Sequence, residues 1–134
     1  MQITNVSCRY AREKLKAPFG FKGSFLTELW QVTTKVECDR ISGTGVSVQS
    51  VLWSDAEIFS LLGEKDGNLL MYSITEKALS LLKDRCGENP IEFSQSIFSE
   101  LLDFAHSISP TGEKLSETFV LNAMVSVDNA LWQL

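Results

Sequence analysis

The residues with the means to do chemistry are few and scattered. Lys22 is the one charged side chain in an aromatic, glycine-jointed stretch, Phe19-Gly20-Phe21-Lys22-Gly23. A contact with a substrate anion and ordinary solvation are both open for it. His106 is the single histidine, and no carboxylate or nucleophile has motif spacing to it. Near a helix carboxyl end it reads first as a cation on the helix dipole and only second as a general base. Serines are plentiful, but none sits in Gly-x-Ser-x-Gly. Glu57, Glu76, Glu92, Glu100 and Asp103 fall mostly on polar helix faces, where solvated charge outweighs metal binding. Gly43-Thr44-Gly45 is too short for GxGxxG or a P-loop, so phosphate binding is a weak reading. Neither catalytic residues nor metal ligands are assigned.

The elements that position these groups begin with an alternating run. From Trp30 to Cys38 the even positions are Trp30, Val32, Thr34, Val36 and Cys38, and the odd ones are Gln31, Thr33, Lys35 and Glu37. Period-two alternation of β-branched and aromatic residues marks a half-buried strand. Residues 2 to 12 form an earlier strand with Val6, Cys8 and Tyr10 on one face. Residues from Leu15 to Thr27 form a loop, and Asp39 to Gly43 a turn. A third strand follows from Gly43 to about Val51, with Val46 and Val48 facing one way. These runs form an antiparallel meander. Cys8 and Cys38 are expected on the same buried face as small core residues.

The period then changes to 3.6. Ser54-Asp55-Ala56-Glu57 reads as a capping box, with Gly63 ending a short helix. A second helix spans about Asn68 to Arg85, with Met71, Ile74, Ala78, Leu81 and Leu82 on one stripe. Asn89-Pro90-Ile91-Glu92 starts a third. The fourth starts near Ser116 and is apolar nearly all round, from Val120 to Leu134, so it requires cover on two faces. Its apolar excess is expected to belong to something larger, or to drive self-association through residues 116–134.

The 134 residues suit one domain, sheet in 1–51 and helical bundle in 54–134. A net charge of −5 with no basic run argues against nucleic acid, and no stretch approaches the ~20 apolar residues of a membrane span. Three widely spaced cysteines and no signal segment lead to an expected cytoplasmic location.

A three-strand antiparallel meander followed by about four helices, an α+β arrangement, resembles the amino-terminal capping domain of the enolase superfamily, in its mandelate racemase/muconate lactonizing enzyme branch. The resemblance is carried by Lys16-Ala17-Pro18-Phe19-Gly20-Phe21-Lys22-Gly23, the strand through Cys38, Gly43-Thr44-Gly45 and Asp128-Asn129-Ala130-Leu131-Trp132-Gln133-Leu134. It implies a partner barrel domain in the same protein, which holds Mg²⁺ and the lysine or histidine bases. Those groups remove a proton α to a carboxylate in a racemase, cycloisomerase or dehydratase, an isomerase or lyase acting on a small carboxylate. The cap itself would contribute two loops over the substrate, residues 18–25 and 46–53. By position the substrate-facing residues would be Phe19, Gly20, Phe21, Lys22, Gln49 and Trp53. The chain ends where a barrel would begin and so is expected to be catalytically incomplete. Its two loops are expected to be mobile, with Phe19 and Phe21 unpacked. The alternative is a free-standing α+β interaction module that dimerises through its last helix.

Overall fold

The computed structural model describes residues 1–134. Strands β1 (Ile3–Phe21), β2 (Ser24–Cys38) and β3 (Ile41–Gln49) form one antiparallel sheet in the order β1-β2-β3. Helices α1 (Val51–Ser54), α2 (Ala56–Leu82), α3 (Pro90–Ser107) and α4 (Glu117–Leu131) follow. The arrangement is a meander with a helical bundle on one face and is not closed into a barrel. Helix α4 lies on β3 and β2, α2 packs on α4 and reaches β1, and α3 covers α2 and α4 from outside. No helix is long and apolar enough to cross a membrane.

The alternation of β2 fixes the inner face. Trp30, Val32, Thr34, Val36 and Cys38 are buried, and the same parity extends back to Leu26 and Glu28. Cys8 stands opposite Thr34, so it shares the inner face with Cys38; it is half-buried while Cys38 is buried. On β3 the inward positions are Gly43, Gly45, Ser47 and Gln49, while Val46 and Val48 face outward and are exposed. The glycines serve packing. A Cβ on Gly43 would stand 1.9 Å from the Ala130 carbonyl oxygen, and one on Gly45 1.9 Å from that of Ser126. Gly-Thr-Gly therefore lets the α4 backbone rest on the sheet.

Four element boundaries differ from the sequence reading. The third strand is Ile41–Gln49 rather than Gly43 to Val51: the turn is only Asp39-Arg40, and Val51 already opens α1. The segment Leu15–Thr27 is not a loop: β1 runs to Phe21, and β2 begins at Ser24 across the two-residue turn Lys22-Gly23. Lys22 and Gly23 both have positive φ, 47° and 75°, the backbone of a tight hairpin turn. Pro18 is tolerated because β1 is an edge strand and its ladder is already broken between Lys14 and Phe19. The cap of α2 is Asp55, whose carboxylate accepts from the Glu57 and Ile58 amides; Ser54 belongs to α1. Finally, α2 does not wait until Asn68. Gly63 (φ 77°, ψ 177°) breaks it, and helix resumes at once. Gly67, on the helix, gives room to Val51, whose Cγ1 would lie 2.7 Å from an added Cβ.

Asn89 caps α3 with Pro90 at its first turn, and Ser116 caps α4, as the start signals imply. Helix α4 has the two apolar faces expected of it. Phe119, Val120, Ala123, Met124, Val127, Ala130 and Leu131 are buried within the chain, but Leu121, Val125 and Trp132 are exposed.

Candidate functional site

The β1–β2 hairpin tip and the start of the helical layer meet. Phe21, last residue of β1, stacks on Trp53 of α1 with ring centroids 4.0 Å apart and planes at 21°. The turn itself places Lys22 so that its Nζ donates to the Trp53 carbonyl at 3.2 Å while lying 5.3 Å from the centre of the Phe21 ring. Beside this stack, Leu15, Lys16, Ala17, Phe19, Leu26, Leu29 and Trp53 line an open groove of about 450 Å3. Its walls are apolar but for Lys16. Phe19 and Trp53 are each about half exposed, at 50% and 52%. An aromatic shelf with lysines at its rim can hold an apolar group and attract a carboxylate.

Glu64 fixes the tip from below. The break at Gly63 lets the following carboxylate accept from the Thr27 amide (3.0 Å), the Thr27 hydroxyl and the Glu28 amide (3.2 Å). These amides lie where β2 has run past β3 and its ladder with β1 is interrupted. A single carboxylate thus satisfies backbone donors that the sheet leaves without partners.

A second cluster lies on the inner face along β1. Glu28 Oε1 accepts from Trp30 Nε1 at 2.9 Å, and the carboxylate receives Arg12 Nε at 3.0 and 3.1 Å. Burial pushes the Glu28 carboxyl up, but hydrogen bonds from Arg12 and Trp30 and the Arg12 charge outweigh it and hold the carboxyl below its usual range. Tyr10 stacks on Trp30 (4.7 Å) and meets Tyr72 edge-on (4.9 Å). The Tyr72 hydroxyl lies 3.1 Å from Cys8 Sγ. Burial is the main cause that raises both groups, so thiol and phenol are neutral at pH 7. The whole row is a structural seam. Its signal was the even parity of Glu28 on the buried face of β2, where a carboxylate requires partners.

Of the six residues named by position, Phe19, Gly20, Phe21, Lys22 and Trp53 come together at the tip. Gln49 does not join them. It is 2% exposed and points into the helical layer, donating to Thr75 Oγ1 at 2.7 Å. Phe21 is half-buried on Trp53, whereas an unpacked ring was expected. His106 sits in the last turn of α3 with Nε2 3.2 Å from the Leu115 carbonyl oxygen, so it ties α3 to the segment before α4. No three His, Cys, Asp or Glu side chains converge on a point where a metal ion would fit.

The architecture is that of an enolase amino-terminal-domain-like α+β fold, a meander followed by four helices. Solved structures share it, two of them as follows. One is an enolase from Bradyrhizobium complexed with magnesium and mandelic acid (TM-score 0.54, 14% identity, 98% of this chain and 30% of that one). The other is a dipeptide epimerase from Cytophaga hutchinsonii complexed with Mg and the dipeptide D-Ala-L-Val (TM-score 0.51, 18% identity, 92% of this chain and 29% of that one). The chain thus spans less than a third of either structure's length. Neither a protein-family model nor a curated protein matches it.

Proposed function

We propose that this chain is the substrate-capping and specificity domain of a Mg-dependent enolase-superfamily isomerase or lyase, working in the cytoplasm with a barrel domain of the same protein. The observation that carries the reading is the junction of the hairpin tip with α1. Phe21, Lys22 and Trp53, from two distant segments, form one exposed aromatic shelf beside an apolar groove. Phe19, Gly20, Phe21, Lys22 and Trp53 are the residues proposed to meet substrate. Gln49 supports them indirectly by tying β3 to Thr75 of α2. Magnesium and the proton-transferring bases are proposed to come from the barrel. When bound there, the metal would stabilise the negative charge that develops on the substrate carboxylate. The cap's own task is to exclude water and shape the pocket. The shelf's composition favours a small carboxylate with an apolar substituent.

The test is substitution at the shelf in a protein that carries this chain together with its barrel. Phe21→Ala and Trp53→Ala should lower kcat/KM and change the ranking of carboxylates that differ in their apolar substituent. An unchanged ranking would refute the reading.

A second reading, a free-standing interaction module that self-associates through residues 116–134, is favoured by the exposed Leu121, Val125 and Trp132 on α4. Sedimentation of the unmodified chain against a Leu121→Gln/Trp132→Gln variant tests association through this helix, while the carboxylate ranking above tests the capping role.

A further inference from the structure

The two edges of the sheet differ in chemistry. Along β1 the edge carries Arg9, Arg12, Glu13, Lys14 and Lys16, the charges that keep an edge strand from pairing with another chain. Along β3 there is none: from Ile41 through Ser54 no residue is charged, and none is proline. The two-residue turn makes Cys38 and Ile41 a hydrogen-bonded pair. The backbone groups of Ser42, Thr44, Val46 and Val48 therefore point away from β2. Of these outward groups, one has a partner in the chain: the Val46 carbonyl accepts from Asn129 Nδ2 at 3.0 Å.

We infer that β3 is a docking edge for a second copy of this chain, pairing antiparallel with the partner's β3 to make one continuous six-stranded sheet. Three features select a second copy. First, the strand pairs with itself over its full length when the two-fold axis passes Gly45, setting Ser42 against the partner's Val48 and Thr44 against the partner's Val46. Second, no like charges meet in that pairing, and valines exposed at 54% and 53% gain apolar or small polar neighbours. Third, α4 straddles β3 and β2, because its Ser126 lies over Gly45 and hydrogen-bonds Thr34 at 2.9 Å. With strands about 5 Å apart, two such helices would run side by side about 10 Å apart, the spacing of packed helices. Asn129 marks the side of α4 that overlooks the edge. Val125 and Trp132, one turn before and after it, share that side and are 42% and 59% exposed. The pairing therefore covers the apolar strip of α4 that the chain itself leaves bare. The Val46 carbonyl has a second lone pair, so Asn129 can remain in place.

The inference is independent of the capping role and is tested on the 134-residue chain by sedimentation and amide exchange. The chain should be a dimer. The amides of Ser42, Thr44, Val46 and Val48 should gain protection as concentration rises, because only pairing across the edge gives them acceptors. Val46→Pro, which removes an outward donor, and Thr44→Lys, which charges the edge, should each weaken the dimer at least about tenfold. Concentration-dependent exchange at those four amides in the unmodified chain does not depend on how well either variant folds. A monomer at high concentration would overturn the inference. So would a dimer whose four edge amides exchange at a concentration-independent rate, or one lost only on Leu121→Gln/Trp132→Gln.

Discussion

Phe21 and Trp53 are 32 positions apart in sequence, yet their rings stack at 4.0 Å, and Lys22 bonds the Trp53 carbonyl beside them. This contact makes a hairpin tip and a one-turn helix into a single surface. Stacked aromatic pairs contribute about 1 kcal/mol beyond their area burial. Phe21→Ala or Trp53→Ala, which also lose the area the ring buries, should cost more than that in stability while raising amide exchange in residues 18–25 and sparing residues 30–38. Equal loss of protection in both segments would show that the stack supports the whole sheet.

Glu64 should matter more than its position suggests. Glu64→Ala removes the acceptor of the exposed Thr27 amide and the part-buried Glu28 amide; water replaces it in part, so the cost should be about 1 kcal/mol. Glu64→Gln retains one acceptor oxygen and should recover part of it. Denaturant unfolding of the pair checks this, and equal stability of the two variants would contradict it.

Stability should carry a trace of Glu28 in its pH dependence. Arg12 and Trp30 hold the folded-state carboxyl below its ordinary value of 4.5 despite burial. A depressed folded value stabilises the fold fully above the unfolded value and ceases to do so as pH falls through the folded one. The melting temperature of the unmodified chain should therefore exceed that of Glu28→Gln at pH 7, and the gap should narrow below pH 4.5. A gap constant from pH 7 to pH 3 would mean the carboxylate charge contributes nothing.

Gly43→Ala and Gly45→Ala should each cost about 3 kcal/mol or more, because the new methyl meets α4 backbone at 1.9 Å and the helix must lift from the sheet. Gly63→Ala meets no atom, but φ 77° with ψ 177° is a glycine conformation, so strain alone should cost about 1–3 kcal/mol. Thermal unfolding separates the three. A tolerated Gly45→Ala would return Gly-Thr-Gly to the list of ligand-binding candidates.

What was legible in the sequence was local. The alternation of β2 gave its buried face residue by residue, and Asn89-Pro90 and Ser116 gave two helix starts, because each signal lies within a few positions. The misreadings arose where distant partners decide. Lys16 to Gly23 has the composition of a loop, but as an edge strand β1 tolerates Pro18 and a broken ladder. Ser54 and Asp55 both have cap chemistry, and the extra turn at Val51–Ser54 gave the cap to Asp55. Gly63 read as a helix end, with the next helix from about Asn68; it is only a break, because Glu64 is needed by β2 and Gly67 by Val51. At the candidate site, position alone grouped Gln49 with Trp53. The strand's parity turns Gln49 inward, and Trp53 lies beyond the strand's end.

The most direct test of the capping role is proton exchange in D2O with Mg²⁺ and a panel of small carboxylates that differ in their apolar substituent. Residues 1–134 alone should incorporate no deuterium at the α-carbon. The same chain joined to its barrel should do so, and Phe21→Ala and Trp53→Ala should alter which carboxylates exchange. Exchange catalysed by residues 1–134 alone, or a joined protein whose choice among carboxylates ignores both shelf residues, would contradict the role proposed for this chain.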